Sequence, residues 1–144
     1  MDVFYTHKPH SGNPNFYGWE NVKIVHDTLT NDQFVPGIDF NTAGNVAVTY
    51  FDRRNTNNVN YEQYMSYVFT NGDRIHPDVV VSPAVSDPTL LPDFDGNLAG
   101  HQAFIADYQE VWIDNYPQGE RGISAWIRVL GNNWTDLFLS EIFF

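Results

Sequence analysis

Apolar residues along this 144-residue chain almost never recur at spacings of three and four. They come as short runs rich in Val, Ile, Tyr, Phe and Trp between clusters of Asn, Asp, Gly and Pro, which is the pattern of strands joined by turns. An all-β chain is predicted, with strands near 2–6, 21–26, 33–40, 45–52, 60–69, 77–83, 102–113, 122–130 and 135–143. Asn71-Gly72 predicts a tight hairpin, because both residues tolerate the positive φ of primed turns, and Ala43-Gly44-Asn45 predicts another. Ser86-Asp87-Pro88 has the form of a helix start, but Pro92 follows at once. Residues 82–100, with three prolines, are therefore expected to form an ordered loop.

The runs repeat. Phe34 and Phe104 open similar apolar stretches, Val48-Thr49-Tyr50 and Ser124-Ala125-Trp126 close the next ones, and "QYMSYVF" (63–69) parallels "LFLSEIF" (137–143). The offsets are 70, 76 and 74 residues, long for one propeller blade until the 82–100 loop is taken into account. The repeating unit is then a four-stranded antiparallel meander, and the expected architecture is a β-propeller that is incomplete in one chain. On this division residues 1–27 are an outer half-blade (strands three and four), 28–84 a complete blade, 85–101 an ordered loop, and 102–144 the inner part of the next blade (strands one to three). Two blades cannot close a ring, and an apolar terminal strand such as "LFLSEIFF" exposes an edge ready to pair. The expected partners are other copies of the chain, joined head to tail in a ring or a filament, or further parts of a longer chain. Three copies would restore six blades.

"GIDFNTAGNVAVTYFDRRN", "NYEQYMSYVFTNGD", "VSPAVSDP" and "AFIADYQEVWID" together resemble the sialidase-like six-bladed propellers (BNR, or Asp-box, proteins). The likeness is greatest to secreted bacterial members whose blades end in an Asp-Arg-Arg cluster, and it spans roughly residues 33 to 130. The sequence departs from that pattern in three places. The 69–73 turn, Phe-Thr-Asn-Gly-Asp, lacks the Ser and Trp of an Asp-box, Ala106 stands where a glycine is expected before Asp107-Tyr108, and "WIRVL" (126–130) replaces a Trp-x-Asp-x-Arg. The resemblance implies an extracellular propeller that either hydrolyses sialosides or serves as a structural or glycan-binding unit.

In a meander the turns alternate between ends, so the 52–59 and 82–101 loops are expected on one face and the hairpins at 42–45 and 71–72 on the other. Asp52, Arg53 and Arg54 would then share a face with Asp87, Asp93, Asp95 and His101, and with Asp107 and Tyr108. In sialidases, the resemblance implies, that face is catalytic. Sialidase chemistry requires three convergent arginines, a Tyr/Glu pair and an acid, because an oxocarbenium-like transition state must be stabilised and the leaving oxygen protonated. The five arginines here are scattered, and only Arg53 and Arg54 are adjacent. Asp107, Tyr108 and Glu110 are the catalytic candidates by composition, Tyr108 and Glu110 lying two apart on one strand face. The preferred reading is non-catalytic.

Two readings of Asp52-Arg53-Arg54 stand side by side. In one, the planar guanidinium forks clamp the acidic 82–101 loop. In the other, an arginine grips the carboxylate of an acidic glycan, with an aromatic such as Trp112 as a stacking surface. Tyr50, Trp112 and Trp126 also alternate along their strands, as core aromatics between blades do. Asp93 and Asp95 in "DFDGN" offer the oxygen ligands calcium prefers, without an EF-hand register, so a structural calcium competes with a solvated turn. His7 and His10 lack a third ligand at zinc spacing. Asn133-Trp134-Thr135 is a glycosylation triplet that matters only to a secreted chain.

Composition narrows the partners. A formal charge of −11 argues against nucleic acid and anionic lipid, both of which need a dense positive surface. There is no cysteine, so disulfides and thiolate chemistry play no part. No apolar run approaches the roughly 20 residues of a membrane-spanning helix, so no membrane partner is expected.

Overall fold

The computed structural model describes residues 1–8, 18–69, 73–90, 109–116, 119–131 and 134–144. Among these the only helical element is the 3-10 turn Pro88–Leu90, and all other regular structure is antiparallel sheet. The all-β expectation holds. A two-stranded ribbon pairs β1 (Phe4–Tyr5) with β2 (Lys23–Ile24). A four-stranded sheet follows in simple sequence order: β3 (Gln33–Phe40), β4 (Val46–Asp52), β5 (Glu62–Val68) and β6 (Val79–Val80). A three-stranded sheet, β7 (Glu110–Tyr116), β8 (Gly119–Gly131) and β9 (Trp134–Phe143), completes the described fold.

Alternation on β4 and β5 decides the layering, because successive side chains point to opposite faces. Val46, Val48, Tyr50, Tyr64 and Val68 face Val3, Tyr5 and Val25 around the ribbon. Ala47, Phe51, Met65 and Tyr67 face Ile113 and Trp126 of the three-stranded sheet, with Phe138 and Ile142 packed alongside. Both faces of β4 and β5 are thus covered, and β4 is buried at every position. Tyr50 and Trp126, the residues 76 apart in the repeat, are both fully buried, and each points toward the layer that precedes its own sheet. Ser66 and Ser140, 74 apart, point the same ways: Ser66 Oγ lies 3.4 Å from the Val25 carbonyl on the ribbon side, and Ser140 Oγ donates to the Val81 carbonyl at 2.7 Å.

Local chemistry explains the turns. The β3–β4 hairpin closes at Gly44, whose φ of 85° is open to glycine at no steric cost. Asn41 braces the hairpin, its Oδ1 accepting from the Ala43 and Asn45 amides at 3.0 and 2.9 Å. The three-stranded and central sheets meet closely where Gly122 faces Met65: a Cβ at that position would lie 2.8 Å from Met65 Sδ. β3 is broken between Phe34 and Gly37, where Val35 takes a φ of 50°, a costly conformation for a β-branched residue and one typical of a bulge.

Two expectations change. The strand placed at 102–113 extends further along the chain, over Glu110–Tyr116 among the described residues, paired with β8 as far as Tyr116 and Gly119. Residues 102–108 lie outside the described residues, as does the Asn71-Gly72 turn. Trp112 is not a core residue: Ile113 takes the inward position, and Trp112 is 48% exposed on the opposite face.

Candidate functional site

Asp52 ends β4, and the chain turns away through Arg53 and Arg54. The turn is tied down before either arginine reaches out. The Arg53 amide donates to the Asp32 carbonyl at 3.0 Å, and Asn31 Nδ2 donates to the carbonyls of Arg53 and Thr56 at 2.9 and 2.8 Å. Asp52 is fully buried and holds Arg54 twice, accepting from its amide at 2.6 Å and from its Nε at 2.8 Å.

All three guanidinium nitrogens of Arg54 are engaged. Nη1 pairs with Asp27, while Nη2 lies 2.7 Å from Asp52 Oδ2 and 2.9 Å from Asp78 Oδ2. The guanidinium stacks on Tyr64, 4.1 Å from the ring centroid. Asp78 is the hub. Its Oδ2 accepts from the Tyr50 hydroxyl at 2.7 Å and the Asp27 amide at 2.7 Å, and its Oδ1 accepts from Ser66 and pairs with Arg74. The side chain of Asp78 is fully buried. Burial alone would raise its pKa, but its bonds with Asp27, Ser66 and Arg54 outweigh that and hold it down to about 2. Burial likewise opposes the charge on Arg54, and its bonds to Asp52 and Asp78 reverse the effect, so its pKa lies above the ordinary value. The Tyr50 hydroxyl is raised, first by burial and then by the Asp78 charge.

The opening cluster therefore works as a fastener. It binds the segment after β2 (through Asp27) and the approach to β6 (through Asp78) to the end of β4. Of the 82–101 loop it was expected to clamp, residues 91–101 with Asp93 and Asp95 lie outside the described residues; among residues 82–90 none pairs with Arg53 or Arg54, and Asp87 caps its own turn through Thr89. Arg54 points to the ribbon side of the central sheet with Tyr50 and Tyr64.

Among the described residues, the other candidates, Trp112 and Glu110, do not converge on it. Trp112 stands on the outward face of the three-stranded sheet beneath Arg121, whose guanidinium is 5.2 Å from its ring and is held by Asp114 and Glu141. Glu110 shares that outward parity and is exposed. Asp107, Tyr108, Asp93, Asp95 and His101 lie outside the described residues. Among the described residues no group of three or more acidic or imidazole side chains is arranged to hold a metal ion. The sequence reading missed Asp27 and Asp78 altogether, as well as Arg128, which meets Phe138 in the cleft between the central and three-stranded sheets. Compared with known proteins, the chain matches no family model, no curated protein and no solved structure.

Proposed function

We propose that this chain is a non-catalytic, sialidase-like propeller unit that assembles head to tail with other copies of itself and serves as a structural or glycan-binding module outside the cell. The layered order supports the propeller reading: a meander in sequence order lies between two antiparallel layers, with the repeat pairs Tyr50/Trp126 and Ser66/Ser140 facing the same way. Arg54, the arginine held most tightly in the Asp52-Arg53-Arg54 cluster, has every guanidinium nitrogen engaged, which supports a structural role for that cluster.

One observation carries the assembly: two apolar surfaces of the fold are uncovered. Leu137 and Leu139 of β9 project from the outward face of the three-stranded sheet, 70% and 68% exposed. On the central sheet the ribbon covers β4 and β5 but leaves Ile38 and Phe40 of β3 exposed at 61% and 71%. The outward face of one copy's three-stranded sheet would cover Ile38 and Phe40 of the next, with β9 lying beside β1. Such a layer holds five strands, one more than the central sheet. Because the two surfaces differ, the contact is heterologous and gives a ring if it closes and a filament if it does not. Light scattering of the native particle with negative-stain imaging tests this. A ring or filament is expected, and a monodisperse monomer at micromolar concentration would overturn the reading.

A further inference from the structure

Arg53, just past the end of β4, and Arg128 on β8 both lie against aromatic rings that pack on the core between the central and three-stranded sheets. The Arg53 guanidinium lies 4.8 Å from the Phe34 ring centroid and that of Arg128 5.3 Å from Phe138. Arg128 has the inward parity of Ser124 and Trp126 on β8, so it points toward the central sheet. Tyr61 links the two neighbourhoods. Its ring meets Phe34 edge to face at 6.2 Å, and its hydroxyl donates to the Ile127 carbonyl at 3.5 Å, one residue from Arg128. Burial pushes this hydroxyl up to about 12, while a bond with Ser86 and the charges of Arg128 and Arg53 pull against it.

Both arginines carry a buried Nε with no hydrogen-bond acceptor. Arg53 has one distant acid, Asp32 Oδ2, 3.5 Å from its Nη1. Arg128 is the only arginine among the described residues with no carboxylate at ion-pair distance; Asp136, opposite it on β9, turns its Oδ1 to the Leu137 amide instead. The chain carries 18 acidic residues against 7 Lys and Arg, so an arginine left without an acid is an exception that a bound anion would resolve.

We propose that Arg53, Arg128 and the Tyr61 hydroxyl form an oxyanion-binding subsite where these sheets meet, taking the carboxylate or sulfate group of a small acidic ligand. Two guanidinium forks supply charged, directional donors over the Phe34 and Phe138 rings, and the Tyr61 hydroxyl, on releasing its long 3.5 Å bond to the Ile127 carbonyl, supplies a third. The site lies between two sheets of one copy, so it does not depend on assembly.

The test is an NMR titration of the arginine Nε–H resonances of the whole protein with sodium acetate and with sodium sulfate, at constant ionic strength against chloride. Saturable shifts at Arg53 and Arg128, with none at Arg121 on the far face, are expected. A response to acetate alone assigns a carboxylate ligand, and a response to sulfate alone assigns a sulfated one. Arg128→Lys keeps the charge but loses the fork, and should weaken binding read at Arg53 roughly tenfold. Tyr61→Phe, which removes only a hydroxyl, is the second variant should the first fold poorly, and should also weaken it. No saturable shift in the unaltered protein, or unchanged binding in the folded variants, would overturn the proposal.

Discussion

Asp27 and Asp78 each accept a hydrogen bond from the other's backbone: the Asp27 amide donates to Asp78 Oδ2 at 2.7 Å, and the Asp78 amide donates to Asp27 Oδ2 at 3.2 Å. The exchange locks two segments far apart in sequence, and Arg54 bridges both carboxylates. Asp78→Asn keeps the shape but removes the charge that balances Arg54 and Arg74. Breaking a buried ion pair from one side costs about 3–5 kcal/mol. Urea unfolding should show a loss of that order with an unchanged slope. A loss below about 1 kcal/mol, the range of an exposed pair, would mean that solvent screens the hub.

The same carboxylate sets a pH dependence. Its pKa in the fold is about 2, below the ordinary 3.8, so the folded state favours the charged form. This contribution is fully present above about pH 4 and is lost as pH falls from there toward 2. Stability measured by urea unfolding should therefore drop over that window, and Asp78→Asn should flatten the drop. An acid transition identical in both proteins would assign it to other carboxylates.

The class of the fold was legible because β4 and β5 are framed by turn residues, and Gly44 with Asn41 closes the hairpin where the turn chemistry places it. Tyr50 and Trp126 were legible as core for the same reason. Trp112 was not: in "EVWID" three adjacent apolar residues leave the parity open, and only packing against the central sheet selects Val111 and Ile113 for the inside. The tying role of Asp52-Arg53-Arg54 followed from the residue types, but its partners did not. Asp27 and Asp78 lie more than twenty residues away on either side, and no local spacing rule links a charge to an acid across two strands.

Close packing of the two larger sheets rests on Gly122. A methyl group there would meet Met65 Sδ at 2.8 Å and the Phe144 ring at 3.2 Å. Phe144 is itself stacked on Tyr67 at 4.4 Å, so it has little room to move. Gly122→Ala should cost about 1–3 kcal/mol, the usual range for overpacking. Gly122→Ala combined with Met65→Ala should recover part of that loss, and a double-mutant cycle without coupling would show that the clash is relieved elsewhere.

Leu137 and Leu139 separate assembly from folding. Both project from β9 on the face away from the central sheet, while their neighbours Phe138 and Ser140 turn inward. Leu137→Lys with Leu139→Lys therefore removes apolar surface that contributes little within one copy, and exposed substitutions of this kind usually change stability by no more than about 0.5 kcal/mol. Between copies the same change puts two ammonium groups against Ile38 and Phe40, where burying them without partners is strongly unfavourable. The variant should be monomeric by light scattering with a nearly unchanged urea midpoint. If it assembles like the unaltered chain, the contact lies elsewhere on the fold. If it also loses stability, the outward face of β9 already packs against something within the single copy.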